Sequence, residues 1–335
     1  MKFYPDNREE MNKLRWFSLK RDDSFAIRNH WLIGGRGFGK TYRVKLEKCL
    51  RNFQKTGNTF FWARTTDTAL DNIRDPVQFF GRIKPEDMKA LEIERYDIRD
   101  DKIYINRKRC GYLFAVSTFY NNKGADYDCQ IGVWDEFMRA KGERPLQGKY
   151  EKFMDLCQSV LRDSANSQVY GISNSTNQFD EVMAHYNWKK QGFGVYLYRE
   201  QNALIHYIAP SQRFIDAQRD SISFAGMSDF QKKMTYGNEF TDYGDYDKVS
   251  KTRYLFTIQA DDDLFVSFYD GKTKLYCKSD MPEKAIMRAV DASFVNNRVN
   301  KLSQSEKKYL MQKYERGDIL FVDGYARTSF TELFY

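Results

Sequence analysis

His30-Trp31-Leu32-Ile33-Gly34-Gly35-Arg36-Gly37-Phe38-Gly39-Lys40-Thr41 is the stretch from which the rest of the chain is read. Trp31-Leu32-Ile33 reads as a strand. The next eight residues fit G-x-x-x-x-G-K-[ST], and Tyr42 to Phe53 reads as a helix. A strand, a glycine-rich loop and a helix in that order form the setting a phosphate-binding loop requires. Gly34, Gly35, Gly37 and Gly39 lack a Cβ, so loop amides can turn inward around a phosphate. The helix start adds free N–H groups and the positive end of its dipole. Lys40 then reaches the β- and γ-phosphates, and the Thr41 hydroxyl ligates Mg²⁺. The expected nucleotide site is therefore Gly34, Gly35, Arg36, Gly37, Phe38, Gly39, Lys40 and Thr41, with ATP and Mg²⁺ as ligands.

A second motif completes the chemistry. Gln130-Ile131-Gly132-Val133-Trp134 is a short apolar strand that runs into Asp135-Glu136. Asp135 is placed to hold Mg²⁺ with Thr41, and Glu136 to orient the attacking water. Between the motifs, Asn58 to Arg64 reads as a β-prone strand. Arg64 ends it where ligands bind in α/β sheets, so it either touches nucleotide or nucleic acid or is an exposed loop arginine. Residues 67–100 read as charged helices divided by Pro76 and Pro85. Lys102–Asn106 and Gly111–Val116 read as a hairpin turning at Arg107-Lys108-Arg109, a basic tip that faces nucleic acid or solvent.

Tyr150 to Leu161 carries helical spacing, and Val169–Ile172 is a strand entering Ser173-Asn174-Ser175. The Ser173-Asn174 tip is the candidate γ-phosphate sensor, and Gly194–Tyr198 is read as the strand that completes the sheet. Alternating strands and helices give an open, mainly parallel α/β sheet. The expectation is a P-loop NTPase of the additional-strand, catalytic-glutamate (ASCE, RecA-like) class. In this reading the catalytic-glutamate strand lies between the phosphate-loop strand and the sensor strand. Residues 1–28 read as a short helix leading into that domain; it covers the adenine, faces a neighbouring subunit or simply packs on the sheet. Texture changes near Pro210, so the expected organisation is an ATPase domain (1–208), a linker or lid (209–250) and a smaller α+β domain (251–335). Asp270-Gly271 between two strand patterns marks a hairpin in the last of these.

Composition narrows the partners. The chain has 335 residues, 54 Lys+Arg against 46 Asp+Glu and a net charge of +8, which favours a polyanion such as nucleic acid. Its five cysteines form no C-x-x-C pair, so buried thiols are expected rather than zinc; the three histidines show no ligand spacing. The start of the chain is polar and no apolar run nears 18 residues, so neither a signal peptide nor a transmembrane span is expected.

The combined motifs resemble those of the DNA-packaging (encapsidation) ATPases of small tailed phages of the Picovirinae type. Gly34–Thr41 follows that family's G-x-R-G-x-G-K-[ST] form, and Val133-Trp134-Asp135-Glu136-Phe137 is similar to its Walker B segment. Ser159-Val160-Leu161-Arg162 and Gly171-Ile172-Ser173-Asn174 match its spacing between a helix-end arginine and the sensor. Tyr236–Phe240 and Thr331–Phe334 also resemble it, so the likeness spans nearly the whole chain.

The resemblance implies a homo-oligomeric ring, generally a pentamer, at the portal vertex of a prohead. The ring translocates double-stranded viral DNA inward at the cost of ATP hydrolysis. It implies that Arg162 is an arginine finger acting in trans, and that Lys123 lies near the subunit interface. It implies an RNase H-like C-terminal domain; Asp261–Asp263 read as a solvated turn and Asp291 is isolated, so no nuclease activity is expected. It implies portal or prohead contacts and, as in some relatives, a packaging RNA. The protein would act in the host-cell cytoplasm, transiently at the prohead, and be absent from the mature virion. Arg64, Arg107, Lys108, Arg109, Lys141 and Arg144 are the candidate DNA contacts. The competing readings are a P-loop helicase or single-strand motor, and a non-catalytic nucleotide-gated portal adaptor; Glu136 argues against the adaptor.

Overall fold

The computed structural model describes residues 1–7, 9, 13, 16–122, 127–138, 146, 148–161, 166–175, 180–188, 191–219, 252–259, 265–271, 275–278, 282–290, 299–322, 326, 329–330 and 333–334. They fall into two units. The first draws on 1–138, 149–175 and 191–219; the second draws on 180–188 and on residues from 252 onward.

The first unit is built on ten strands: β1 (Lys2–Pro5), β2 (Asn29–Gly34), β3 (Thr59–Arg64), β4 (Tyr96–Arg99), β5 (Lys102–Ile105), β6 (Lys108–Ala115), β7 (Cys129–Asp135), β8 (Gln168–Asn174), β9 (Gly194–Tyr198) and β10 (Ala203–Tyr207). Their order is β1-β9-β10-β2-β8-β7-β3-β6-β5-β4. The six from β10 to β6 are mutually parallel; the flanking pairs are antiparallel. Central strands buried on both faces read as near-continuous apolar runs, as Phe60-Phe61-Trp62 and Trp31-Leu32-Ile33 do.

One face packs Leu32, Val44, Leu46, Phe60, Trp62, Phe79 and Phe80 into a single core. On the other, Trp31 meets Trp134, Phe137, Tyr150 and Phe153. Gly171 makes room for that indole: a Cβ there would lie 2.1 Å from Trp31 Cε3.

Several expectations are corrected. The sensor strand β8, not the catalytic-glutamate strand β7, lies beside the phosphate-loop strand β2. The additional strand of this class is thus the sensor strand, and β7 stands one place further out. Gly194–Tyr198 does not close the sheet; β10 follows it, turns back antiparallel and docks beside β2. The N-terminal segment contributes an edge strand, β1, as well as the helix Lys20–Asp23. Residues 67–100 hold three helices, Asp67–Arg74, Pro76–Phe80 and Pro85–Ala90, but end in β4. The basic hairpin turns at Asn106 and Arg107, both with positive φ, while Lys108 and Arg109 already belong to β6.

In the second unit, β11 (Arg253–Gln259), β12 (Phe265–Asp270) and β13 (Leu275–Lys278) form an antiparallel meander. β14 (Met287–Ala289) joins β11 in parallel, β15 (Val299–Lys301) joins β14, and β16 (Ile319–Phe321) joins β13. The resulting order, β15-β14-β11-β12-β13, is that of the RNase H-like fold, with β16 added at its edge. The helix Gln304–Glu315 is opened by a capping box between Ser303 and Glu306. All five cysteines are buried thiols, and among the described residues no helix is long and apolar enough to cross a membrane.

Candidate functional site

Four parallel strands end in one row, and their tips form the site. β2 delivers Gly34 into the loop, where Gly37 and Gly39 take φ of +85° and +87°. Those left-handed conformations cost a residue with a Cβ about 1–2 kcal/mol each, which is why glycine stands there. Gly39 caps the helix that runs from Lys40–Arg43 through a π-helical segment, Val44–Leu50, into Arg51–Thr56. Phe38 anchors the loop from within: it is buried edge-on against Phe214 at 4.7 Å, and its carbonyl accepts the Phe17 N–H at 2.9 Å. Arg36 and Gly37 are exposed.

Lys40 is buried beneath the loop, its Nζ donating to the carbonyls of Gly34 (3.0 Å) and Gly35 (2.8 Å). Burial lowers its pKa to about 7, against the opposing pull of Asp135. Thr41 Oγ1 lies 3.4 Å from Asp135 Oδ1. Two hard oxygens so placed fit neighbouring positions around Mg²⁺, where ligands at 2.0–2.1 Å stand about 3 Å apart. Burial raises the pKa of Asp135, opposed chiefly by Arg64. Arg64, at the tip of β3, turns onto both acids: it pairs with Glu136 and lies 3.4 Å from Asp135 Oδ2.

Glu136 has a left-handed backbone, φ +57°, unusual for a non-glycine residue and worth about 1–3 kcal/mol of strain. Its N–H donates to the Ile172 carbonyl on β8 at 2.7 Å, and the turn continues with Met138 N–H donating to Ser173 Oγ at 3.3 Å. Ser173 is therefore buried against the turn that carries Glu136, whereas Asn174 is half-buried beside Gly34 at the strand tip.

The structure thus brings Gly34–Thr41, Arg64, Asp135, Glu136, Ser173 and Asn174 together. Lys108 starts β6 at the opposite edge of the sheet; Ala115, beside Arg64, lies seven residues on, about 23 Å. Arg107, Lys108 and Arg109 are exposed there, remote from the loop. Arg162, Lys123, Lys141 and Arg144, like Asp261–Asp263 and Asp291, lie outside the described residues.

Sequence reasoning missed the pairing of Arg64 with Glu136. It also missed an aromatic lining beside the loop, where Trp16 and Phe214 meet at 6.2 Å, and a buried charge cluster behind it. In that cluster His206 on β10 bonds Asp22 (2.8 Å) and Asp6 (3.3 Å), and Arg21 pairs with Asp6. These partners are 184 and 200 residues apart, beyond any local pattern.

A family model described as Podovirus DNA encapsidation protein (Gp16) matches residues 12–333. No curated protein sequence matches. Among solved structures, the bacteriophage Phi-29 viral genome packaging motor assembly is similar with a TM-score of 0.64 at 16% identity, over 96% of this chain and 99% of that one. The Phi-28 gp11 DNA packaging motor gives 0.60 at 14% identity, over 96% and 97%. The N-terminal domain of the DNA packaging ATPase from bacteriophage phi29 gives 0.52 at 21% identity, over 59% and 98%. At such identities these likenesses show the fold.

Proposed function

Because the chain belongs to the Podovirus DNA encapsidation protein (Gp16) family, we propose that this site hydrolyses ATP and couples hydrolysis to translocation of double-stranded viral DNA into a prohead. The observation that carries the reading is the single row of Lys40, Thr41, Asp135 and Glu136, with Thr41 and Asp135 oxygens 3.4 Å apart. The loop amides from Gly35 to Lys40 bind the phosphates, and Lys40 exchanges its carbonyl partners for β- and γ-phosphate oxygens. Thr41 and Asp135 would hold Mg²⁺, which supplies positive charge across those phosphates. Glu136 orients the attacking water. Arg64 restrains Glu136 and must share or release that carboxylate for it to reach the water. Trp16, which lies beside Gly39 and Phe214, meets the nucleobase in this reading.

The working form is a homo-oligomeric ring, most simply a pentamer, at the portal vertex. Arg162 serves as a finger in a neighbour's site, with Lys123 near the same interface, and a packaging RNA is a further partner. Arg107, Lys108, Arg109, Lys141 and Arg144 supply phosphate contacts, so binding is salt-sensitive and indifferent to sequence. The boundary between motor and RNase H-like parts runs through 209–250. The second unit lacks nuclease activity; its central strand, Arg253–Gln259, carries no carboxylate to start a two-metal site. The protein works in the host cytoplasm and leaves before the virion matures.

The test is steady-state ATP hydrolysis with duplex and with single-stranded DNA, for the wild-type chain, Glu136→Gln and Arg162→Ala. Duplex-stimulated hydrolysis, abolished in each variant and partly restored on mixing them, is the expected result. Stimulation by single strands alone with duplex unwinding would establish the helicase reading. Nucleotide binding without hydrolysis on assembled proheads would establish the adaptor reading.

A further inference from the structure

The turn that follows β7 and the helix beyond it each break a local preference. Glu136 adopts φ +57° where a glycine would cost less. Thirteen residues on, Lys149 opens the helix Lys149–Leu161 with its side chain buried, only 7% exposed. Lysine is seldom buried, and a cation at a helix N-terminus opposes the helix dipole. A strained glutamate and a buried lysine at a helix start point to a functional demand.

The demand is visible in what the ammonium touches. Lys149 Nζ donates to the Phe137 carbonyl at 2.7 Å and lies 5.9 Å from the Trp134 ring centroid. Phe137 follows Glu136 directly. The same turn is stitched to β8 by its amides: Glu136 and Phe137 N–H to the Ile172 carbonyl (2.7 and 3.4 Å) and Met138 N–H to Ser173 Oγ (3.3 Å). The amides are thus held from the sensor strand and the carbonyl from the helix, so the backbone that carries Glu136 is fixed from both sides.

We propose that Lys149 is a positioning residue for hydrolysis: its buried ammonium, seated on the Phe137 carbonyl, holds the turn that presents Glu136 to the attacking water. The proposal rests on the ATPase reading above. It also gives β8 a mechanical role, since Ser173 and Asn174 pair with Ile33 and Gly34 at the loop entrance. Movement of that strand tip passes to Glu136 through Ile172 and Ser173.

Lys149→Met keeps the apolar stem and removes the donor. A hydrogen bond from a charged group corresponds to about a tenfold to hundredfold effect, so kcat falls by that factor while KM for ATP stays within about twofold. Amide hydrogen exchange at Glu136, Phe137 and Met138 speeds up, whereas exchange in β2 and β3 stays at the wild-type rate, showing that the fold is kept. Ser173→Ala, which loosens the turn from its other side, gives the same pattern at Met138, and Ser173→Thr restores it. Unchanged exchange across 136–138 in Lys149→Met overturns the proposal, as does faster exchange with wild-type kcat. A wild-type chain that hydrolyses no ATP even on proheads overturns the underlying ATPase reading instead, and the exchange data then still decide whether Lys149 holds the turn.

Discussion

Replacing His206 by Gln tests how the N-terminal segment is locked behind the phosphate loop. His206 lies fully inside the first unit, on a strand paired to β2, with Asp22 at Nδ1 and Asp6 at Nε2. Its largest perturbation is burial, which lowers its pKa; the two carboxylates outweigh it and bring the pKa up from 6.5 to about 9. At about 1.4 kcal/mol for each factor of ten in the proton equilibrium, the folded state gains about 3 kcal/mol from the bound proton. The sign is fixed by the direction. A pKa raised on folding contributes fully below the unfolded value of 6.5 and loses its contribution as pH rises through about 9.

Denaturant unfolding of wild type and His206→Gln, followed by tryptophan fluorescence between pH 6 and 10, measures it. The stability gap should be widest near pH 6 and narrow by roughly 3 kcal/mol toward pH 10. A gap that does not change with pH would mean that His206 is held neutral, and the ion-cluster account would be wrong. Asp6 runs the other way: His206, Arg21 and the Ala209 amide outweigh its burial and lower its pKa. Its contribution is present above its ordinary value and is lost as the solution is acidified through the lowered one.

Further outcomes follow from the same geometry. Gly171→Ala should destabilise the first unit by about 1–3 kcal/mol in chemical unfolding, because the new methyl collides with the Trp31 ring and Phe137 backs it. A cost under a few tenths would show that the indole has room to move. Arg64→Ala should weaken hydrolysis and raise the pKa of Asp135 further, so magnesium-dependent activity would fall off at a higher pH on the acid side than in wild type. Coincident acid limbs would count against it. Ser303→Ala should lower the stability of the second unit by about 1 kcal/mol and leave the first unchanged, since the capping box it removes belongs to a helix of the second unit. Differential scanning calorimetry separates the two transitions, and a shift in the first would contradict the assignment.

What the sequence determined by itself is local in physical origin. Gly37 and Gly39 announce left-handed turns, Lys40-Thr41 after the glycine-rich loop announces the start of a helix, the apolar run ending in Asp135-Glu136 announces a strand tip with oxygen ligands, and Asp270-Gly271 announces a hairpin. Each depends on φ/ψ demands or periodicity within a few residues, so each was legible. Strand order was not: β8 between β2 and β7, and β10 returning to β2, are chosen by which buried faces fit together, and no single segment encodes that choice. The same separation hid Arg64 on Glu136, 72 residues away, and His206 between Asp6 and Asp22. The sequence therefore settled which chemical groups the site holds. Tertiary packing decided which of them face one another, because burial makes a charge depend on partners that the chain brings together only when it folds.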